Sequence, residues 1–385
     1  MNVRAIVLVG PPAESSSGHE QLAGVPLSLL DVLGRPVLHR VLEQVRARVD
    51  EVAVVIAATT PEAAQAARQA AVPGIAWTVA GEAEEMWRSA EQTFSDFAQN
   101  GAEAVIAIRV GPYAEIDLDH MVQFHLDQGA RVTAAVREER EFGVFVISAS
   151  RRNDAAYLFR HRFTECRVPC TRYRFDGYYN DFASAADLRA LTSDALMQRN
   201  LVRPAGREAR PGIWLGERAR IDRGARLLAP AFVGARARIR AGAVVTRCSA
   251  VEHHTEVDCG SVIEEANILP FTCVGAGLDV CNAIVGSRRL FDLRRHTVVE
   301  FADDRLIGMS SRHAPVRALG TATSLPKHFF RGLFGKSRRE SSKDMPAAAH
   351  VPAAALESPA LSKTAEQKSA EFPSTLAVAR RYGNE

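Results

Sequence analysis

Gly10-Pro11-Pro12, closing the apolar run at residues 5–9, is the first place in this chain where chemistry could sit. A glycine at the end of a buried strand can bring backbone N–H groups against a phosphate. Pro11 and Pro12 lack that donor, so the tripeptide reads first as a turn and second as the remnant of a phosphate loop. His253-His254 is another candidate, because a histidine at the corner of a repeat can serve as the general base of an acyl transfer; its surroundings read as an ordinary turn. His120 and His125 flank a predicted helix and suit packing or surface roles better than a metal. Cys166 and Cys170 could share a helix face and bind a metal or cycle in redox chemistry. The six cysteines (also Cys248, Cys259, Cys273 and Cys281) lack zinc-finger spacing, and reduced thiols are the plainer expectation. Asp117, Asp119 and Asp127 read as caps and solvated positions, and Glu138, Glu139, Arg140 and Glu141 as a charged turn facing solvent.

The elements that must position these groups fall into two regimes. Over the first 135 or so residues, strand and helix signals alternate: strands at 5–9, 52–58, 75–79, 104–108 and 132–136, helices at 36–49, 60–71, 83–99 and 118–128. Pro36 and Pro61 sit where a first helical turn tolerates proline, and Gly101 follows the end of the third helix. Strands separated by helices predict a parallel sheet covered on both faces, with ligands outside the carboxyl ends of its strands. The loop after Val9 is then the first place to look.

Residues 213–285 follow a different rule. Leu215, Ile221, Leu227, Val233, Ile239, Val245, Val251, Val257 and Ile263 recur at every sixth position, with Gly or Ala beside many of them. This hexad predicts a left-handed parallel β-helix in which three hexads make one coil. Leu215 should stack on Val233 and Val251, Ile221 on Ile239 and Val257, and Leu227 on Val245 and Ile263. The phase slips after Ile263 and resumes at Ile268, Val274 and Val280, which predicts a corner loop or a bulged coil between them.

The chain of 385 residues carries a formal net charge of +3, so no polyanionic partner, nucleic acid included, is implied by the total. No run of eighteen apolar residues is present. The N-terminal apolar stretch is short for a signal peptide, and a cytoplasmic location is expected. Residues 309–336 include a basic-aromatic stretch, with Lys327, Phe329, Phe330, Arg331 and Phe334, that either packs on the body or meets an anionic membrane surface or a partner. Residues 337–385, rich in Ser, Ala, Pro, Lys and Glu, read as a disordered tail.

The opening strand, the segment GVPLSLLDVLGRPVLHRVLEQV, and FDGYYNDFASAADL at residues 175–188 together resemble the sugar-phosphate nucleotidyltransferases, or nucleotide-sugar pyrophosphorylases. Leu29, Leu30, Val32, Gly34, Arg35, Pro36 and Leu38 follow the family framework. The hexads after it are similar to those of mannose-1-phosphate guanylyltransferase-like members. The resemblance covers residues 3–290 and implies an α/β, Rossmann-like nucleotidyltransferase domain over 1–200 and a β-helix over 211–308. It also implies homo- or hetero-oligomer contacts built by the β-helix. In such enzymes a sugar 1-phosphate attacks the α-phosphate of a nucleoside triphosphate. Main-chain donors, an arginine, a lysine and aspartate-held Mg²⁺ neutralise the charge.

The motifs that would do this are eroded. The family's G-G-x-G-T-R stands here as Gly10-Pro11-Pro12-Ala13-Glu14-Ser15, with no arginine before Arg35. Its P-K-P-L-L-P stands as Pro26-Leu27-Ser28-Leu29-Leu30-Asp31, with Leu27 at the lysine position and Asp31 adding negative charge. No lysine occurs before Lys327. Aligning on Ile116 and Asp117 places Gly111, within Arg109-Val110-Gly111-Pro112, where the first metal aspartate belongs. Asp181 alone matches the second metal position, and the E-K-P stretch is missing. The resemblance therefore implies no intact catalytic set. The nucleotide-binding positions would be Gly10, Pro11, Pro26, Arg109 and Gly111, and Mg²⁺ would be needed only by an active enzyme. The expectation is a catalytically eroded homologue that binds a nucleotide, sugar phosphate or partner in polysaccharide metabolism. An active nucleotidyltransferase with a remodelled phosphate site and a hexad-repeat acyltransferase are the alternatives.

Overall fold

A computed structural model describes residues 2–10, 21–22, 25–149, 159, 170–286 and 288–310. The chain is mixed α/β with several parallel sheets. Its first part is built on β1 (Val3–Val9), α1 (Val37–Arg46), β2 (Glu51–Ala57), α2 (Pro61–Gln69), β3 (Ala76–Ala80), α3 (Ala83–Gln99), β4 (Ala104–Arg109), α4 (Leu118–Asp127), β5 (Val132–Arg137), β6 (Arg140–Ser148), β7 (Thr171–Arg174) and α5 (Ala185–Leu196). The central sheet has the order β7-β5-β6-β4-β1-β2-β3.

Apart from Arg4, β1 is apolar because both of its faces are covered. Val3, Ala5, Val7 and Val9 pack with Val37, Leu38, Val41, Leu42 and Val45 of α1, whereas Ile6 and Leu8 pack with Met86, Ala90, Phe94 and Phe97 of α3. Local signals fix the helix starts. Thr60 accepts from the Ala63 N–H at 3.1 Å ahead of Pro61, Asp117 accepts from the His120 N–H at 3.1 Å, and Ser184 accepts from the Asp187 N–H at 3.2 Å.

The expected all-parallel sheet needs one correction. β6 runs antiparallel to both β4 and β5. Glu138 and Glu139, at φ of 48° and 66°, form a two-residue turn that sends β6 back beside β5 with no room for a crossover helix. β1 is parallel to β2 and to β4, and the order β3-β2-β1-β4 reverses between β1 and β4.

From Ile213 onward, short strands visit three parallel ladders in turn. Leu215 pairs in register with Val233 and Val233 with Val251; Ile221 with Ile239 and Ile239 with Val257; Leu227 with Val245 and Val245 with Ile263. The hexad columns stack as their spacing requires. Val233, Ile239, Val245, Val251, Val257 and Ile263 are fully buried. Gly216 and Gly234 are needed where coils touch: a Cβ would lie 2.3 Å from the Ala235 nitrogen at the first and 2.5 Å from the His253 nitrogen at the second.

The phase slip after Ile263 is neither a corner loop nor a bulge. Ile268, Val274 and Val280 pair in register with Val251, Val257 and Ile263, so that coil is simply one residue shorter and the columns continue. Glu265, at φ of 48°, lies in the tightened turn. Arg289–Asp292, Thr297–Glu300 and Ile307–Met309 then add antiparallel strands at the far end.

Among the described residues no helix is long and apolar enough to cross a membrane. The stretch at 326–339, with Lys327, Phe329, Phe330, Arg331 and Phe334, and the tail at 337–385 lie outside the described residues, as does Cys166. Cys170 immediately precedes β7, so for this residue the expected helix face is replaced by a strand start.

Candidate functional site

The reversal between β1 and β4 opens a crevice at the carboxyl ends of the two strands, the position where open α/β sheets hold ligands. A cleft of about 430 Å³ lies there. Gly10 enters it from the end of β1 and Arg109, Val110, Gly111 and Pro112 from the end of β4. Pro26, Leu27 and Ser28 form one wall, Arg140 to Gly143 of β6 a second, and Tyr179 and Asp181 to Ala183 a third. Of the sequence candidates, Gly10, Pro26, Arg109, Gly111 and Asp181 are brought together; Pro11 lies outside the described residues.

The walls are held by ordinary local physics. A single 3-10 turn, Leu27–Leu29, buries its side chains and closes on the Leu30 N–H donating to the Leu27 carbonyl at 2.9 Å. The pairing of β5 with β6 shifts register between Ala134 and Val136. Gly143, at φ of +87°, sits in this irregularity; a Cβ there would lie 3.0 Å from the Arg109 carbonyl. The bulge turns Arg140 and Glu141 toward the cleft. The expectation of a purely solvent-facing charged turn therefore holds for Glu138 and Glu139 but is corrected for Arg140 and Glu141.

Tyr179 donates its hydroxyl to Asp181 Oδ1 at 2.8 Å, and its ring meets Phe142 edge-on at 5.4 Å. Arg137 lies 5.1 Å over the same ring. Burial, with the adjoining Asp181 carboxylate, pushes the Tyr179 phenol far up, so it remains a protonated donor. Asn180 orders the turn behind it by accepting from the Phe182 N–H at 2.9 Å. Gly10 and Gly111 have no positive φ, and a Cβ on either would meet no atom closer than 3.9 Å. Neither glycine is demanded by the chain's own packing. Both leave backbone open to close approach by a ligand.

The charge of the described cleft is balanced, with Arg109 and Arg140 set against Glu141 and Asp181. Mg²⁺ favours an octahedron of oxygens including one or two carboxylates. Asp181 already accepts from Tyr179, and among the described residues no group of three His, Cys, Asp or Glu side chains could hold a metal. Glu141 and Asp181 are the carboxylates of the described cleft that could hold such an ion together with a ligand's phosphates.

Asp31 corrects another expectation. It does not add charge to the cleft. It points instead to the repeats and pairs with His253, Oδ2 to Nε2 at 2.7 Å. Asp31–Val32 and Arg35–Pro36 form a small hairpin whose two-residue turn, Leu33 and Gly34, has φ of 54° and 85°. Glu252, 2 % exposed, accepts from both turn nitrogens: Leu33 N–H to Oε1 at 2.8 Å and Gly34 N–H to Oε2 at 2.9 Å. Arg40 binds the Val32 carbonyl at 2.6 Å and the Arg203 carbonyl at 2.9 Å. A second clamp comes from α5, where Arg189 donates to the Glu265 carbonyl at 2.8 Å and Thr192 accepts from Asn267 at 2.7 Å.

Burial, then the charge of Asp31, pushes the Glu252 carboxyl up to about 8 despite its two backbone donors. For His253, burial works against the charged ring, but the hydrogen bond and charge of Asp31 and the charge of Glu252 outweigh it and raise the pKa. His253 also meets Phe271 edge-on at 5.0 Å, and its Nδ1 lies 2.9 Å from the His254 Nδ1. The histidine pair stands in an ordinary turn of the repeats, as expected, and from that turn His253 also joins the repeats to the α/β part through Asp31. Sequence reading passed over Glu252 and Arg189. A signal for Glu252 existed: at eighteen-residue spacing the column runs Gly216, Gly234, Glu252, and the carboxylate breaks it.

The remaining candidates pack. His125 is buried between Thr133 Oγ1 at 2.8 Å and Ser148 Oγ at 2.9 Å, and burial lowers it to about 4, so it stays neutral. His120 Nδ1 lies 2.7 Å from the Tyr173 hydroxyl.

No protein-family model matches the chain, and comparison with curated proteins finds no match.

Proposed function

We propose that this chain is a nucleotide-sugar pyrophosphorylase-like protein with a Rossmann-like nucleotidyltransferase domain and a left-handed parallel β-helix. In this reading it binds a nucleotide or sugar phosphate in the cleft between β1 and β4 without turning it over, and acts by binding or assembly in sugar-nucleotide or polysaccharide metabolism. The observation that carries the reading is the pairing of an intact crevice with a neutralised lining: Arg109 and Arg140 opposed by Glu141 and Asp181, with Leu27 on the wall. Gly10 and Gly111 support a ligand because they leave its backbone edge open. The charge balance supports loss of turnover, because each missing preorganised donor costs about 10²–10³ in rate. The stacked hexad columns and the three parallel ladders support the β-helix.

The test is calorimetric and kinetic. With Mg²⁺, each nucleoside triphosphate and several sugar 1-phosphates, no pyrophosphate release above background is expected. A nucleotide or sugar phosphate should bind, and Arg109→Gln should weaken that binding about tenfold or more. Turnover would overturn the reading of eroded catalysis, and absence of any binding would overturn the ligand.

A further inference from the structure

A second cleft, of about 290 Å³, lies on the repeats and is lined by Arg218, Arg220, Arg236, Arg238, His254 and Ser310, among others. Its arginines follow from the coil periodicity. Arg220 and Arg238 are register partners on one parallel ladder, and Arg218 and Arg236, at φ of 57° and 56°, occupy equivalent corners of the same two coils. Neighbouring strands are about 4.8 Å apart, so the fold sets Arg238 directly beside Arg220 and brings Arg218 and Arg236 to the same cleft. Like charges directly opposite each other on a sheet are destabilising.

The protein's own carboxylates neutralise this cluster only in part. Asp222 takes Arg238 at 3.1 Å, and Glu217 meets Arg218 at 3.3 Å on a highly exposed surface. Arg240, two residues after Arg238 and on the other side of Ile239, is held by Glu256 and by Asp258 at 3.5 Å, so Glu256 is already engaged. Arg220 has no carboxylate within ion-pair distance among the described residues. Among the described residues the Arg236 guanidinium meets the His254 ring alone, Nε2 at 3.5 Å. The Arg238 Nε–H is buried with no acceptor. The third coil ends both columns by placing His254 and Glu256 at the next positions.

We infer that this cleft is a binding site for a compact, multiply charged oxyanion, the phosphate or diphosphate group of a small molecule. Planar guanidinium groups bind such oxygens two at a time. Stacked arginines present several forks to one anion, which removes the repulsion that the coils otherwise bear. The size of the cleft suits a phosphate-bearing small molecule better than a polynucleotide track. The site is separate from the cleft between β1 and β4, and the inference does not depend on the function proposed for that cleft.

Calorimetry at constant ionic strength tests it, titrating the full chain with inorganic phosphate, inorganic pyrophosphate and a hexose 1-phosphate against sodium chloride. Saturable 1:1 binding of at least one of the three is expected, and the order of affinities tells free anion from ester. Arg220→Gln with Arg236→Gln should weaken it at least about tenfold, whereas Arg207→Gln with Arg210→Gln, exposed arginines that line neither cleft, should leave it unchanged. Arg220 and Arg236 are exposed, so the double variant should keep the wild-type thermal unfolding curve; Arg236→Lys, which keeps the charge but loses the fork, should be intermediate. The inference is overturned if no probe binds above the chloride control, or if the Arg220→Gln/Arg236→Gln protein binds as well as wild type.

Discussion

Residues 26–28 and residues 31–34 are near neighbours in sequence, yet the tertiary structure uses them in opposite ways. The first group lines the cleft between β1 and β4 with apolar surface and makes one buried 3-10 turn. The second carries a carboxylate, a strained leucine and a glycine into the repeats, where His253 meets the carboxylate and Glu252 the two turn nitrogens. Leu33 sits at φ of +54° and is fully buried, a backbone state that costs about 1–2 kcal/mol for a side-chain residue. Gly34 cannot be replaced cheaply, because a Cβ would lie 2.9 Å from the Ala205 Cβ. The lesson is about where charge is invested: in the joint it is buried and bonded in a fixed geometry, and in the cleft it is exposed and cancels.

Three measurements sharpen or break this contrast. The largest effect belongs to Glu252→Ala. It leaves the Leu33 and Gly34 N–H groups without acceptors, and each buried unsatisfied donor costs about 1–3 kcal/mol. Urea unfolding should register a loss of that size per donor; a variant as stable as wild type would show that the joint is not fastened there.

An intermediate effect is expected from pH. Glu252 is raised from 4.5 to about 8, and His253 is raised too, within a cluster faced by Asp31, Arg40 and the two hairpin nitrogens. Both groups therefore hold protons more tightly folded than unfolded. The Glu252 contribution is complete below about pH 4.5 and is lost as pH rises through about 8, and the His253 contribution is lost in the same direction. Thermal unfolding should show wild type losing stability over this window, and Glu252→Gln should flatten the slope. An equal slope in the variant would place the titration elsewhere.

The smallest effect is expected in the cleft. Arg109 and Asp181 are exposed, so Arg109→Gln and Asp181→Asn should shift stability by no more than about 0.5 kcal/mol. A large loss would mean that the cleft, like the joint, is built for structure.

Much of the fold was legible in the sequence because its signals are local. Thr60 with Pro61, Asp117, and the helix at Ala83–Gln99 stand where caps and periodicity put them. The hexads gave the stacking partners outright, since a coil of constant length fixes which aliphatics meet. The antiparallel return of β6 was not legible, because a two-residue turn at Glu138 and Glu139 looks in sequence like any solvated charge run. Asp31 was misplaced for a related reason: a motif position says which residue is present, not which way a hairpin twists it.

What the sequence alone determined is the α/β alternation, the aliphatic columns and the set of residues at the carboxyl ends of β1 and β4. Those follow from periodicity and from strand order, which act over a few residues or at a constant spacing. What only the tertiary structure decided is the company of the charges. Glu252 is 219 residues from Leu33, and Asp31 is paired with His253 across the same gap between the two parts of the chain. Burial shifts a carboxyl, and a distant N–H can satisfy it, only once the fold has carried them together; no local pattern encodes that meeting.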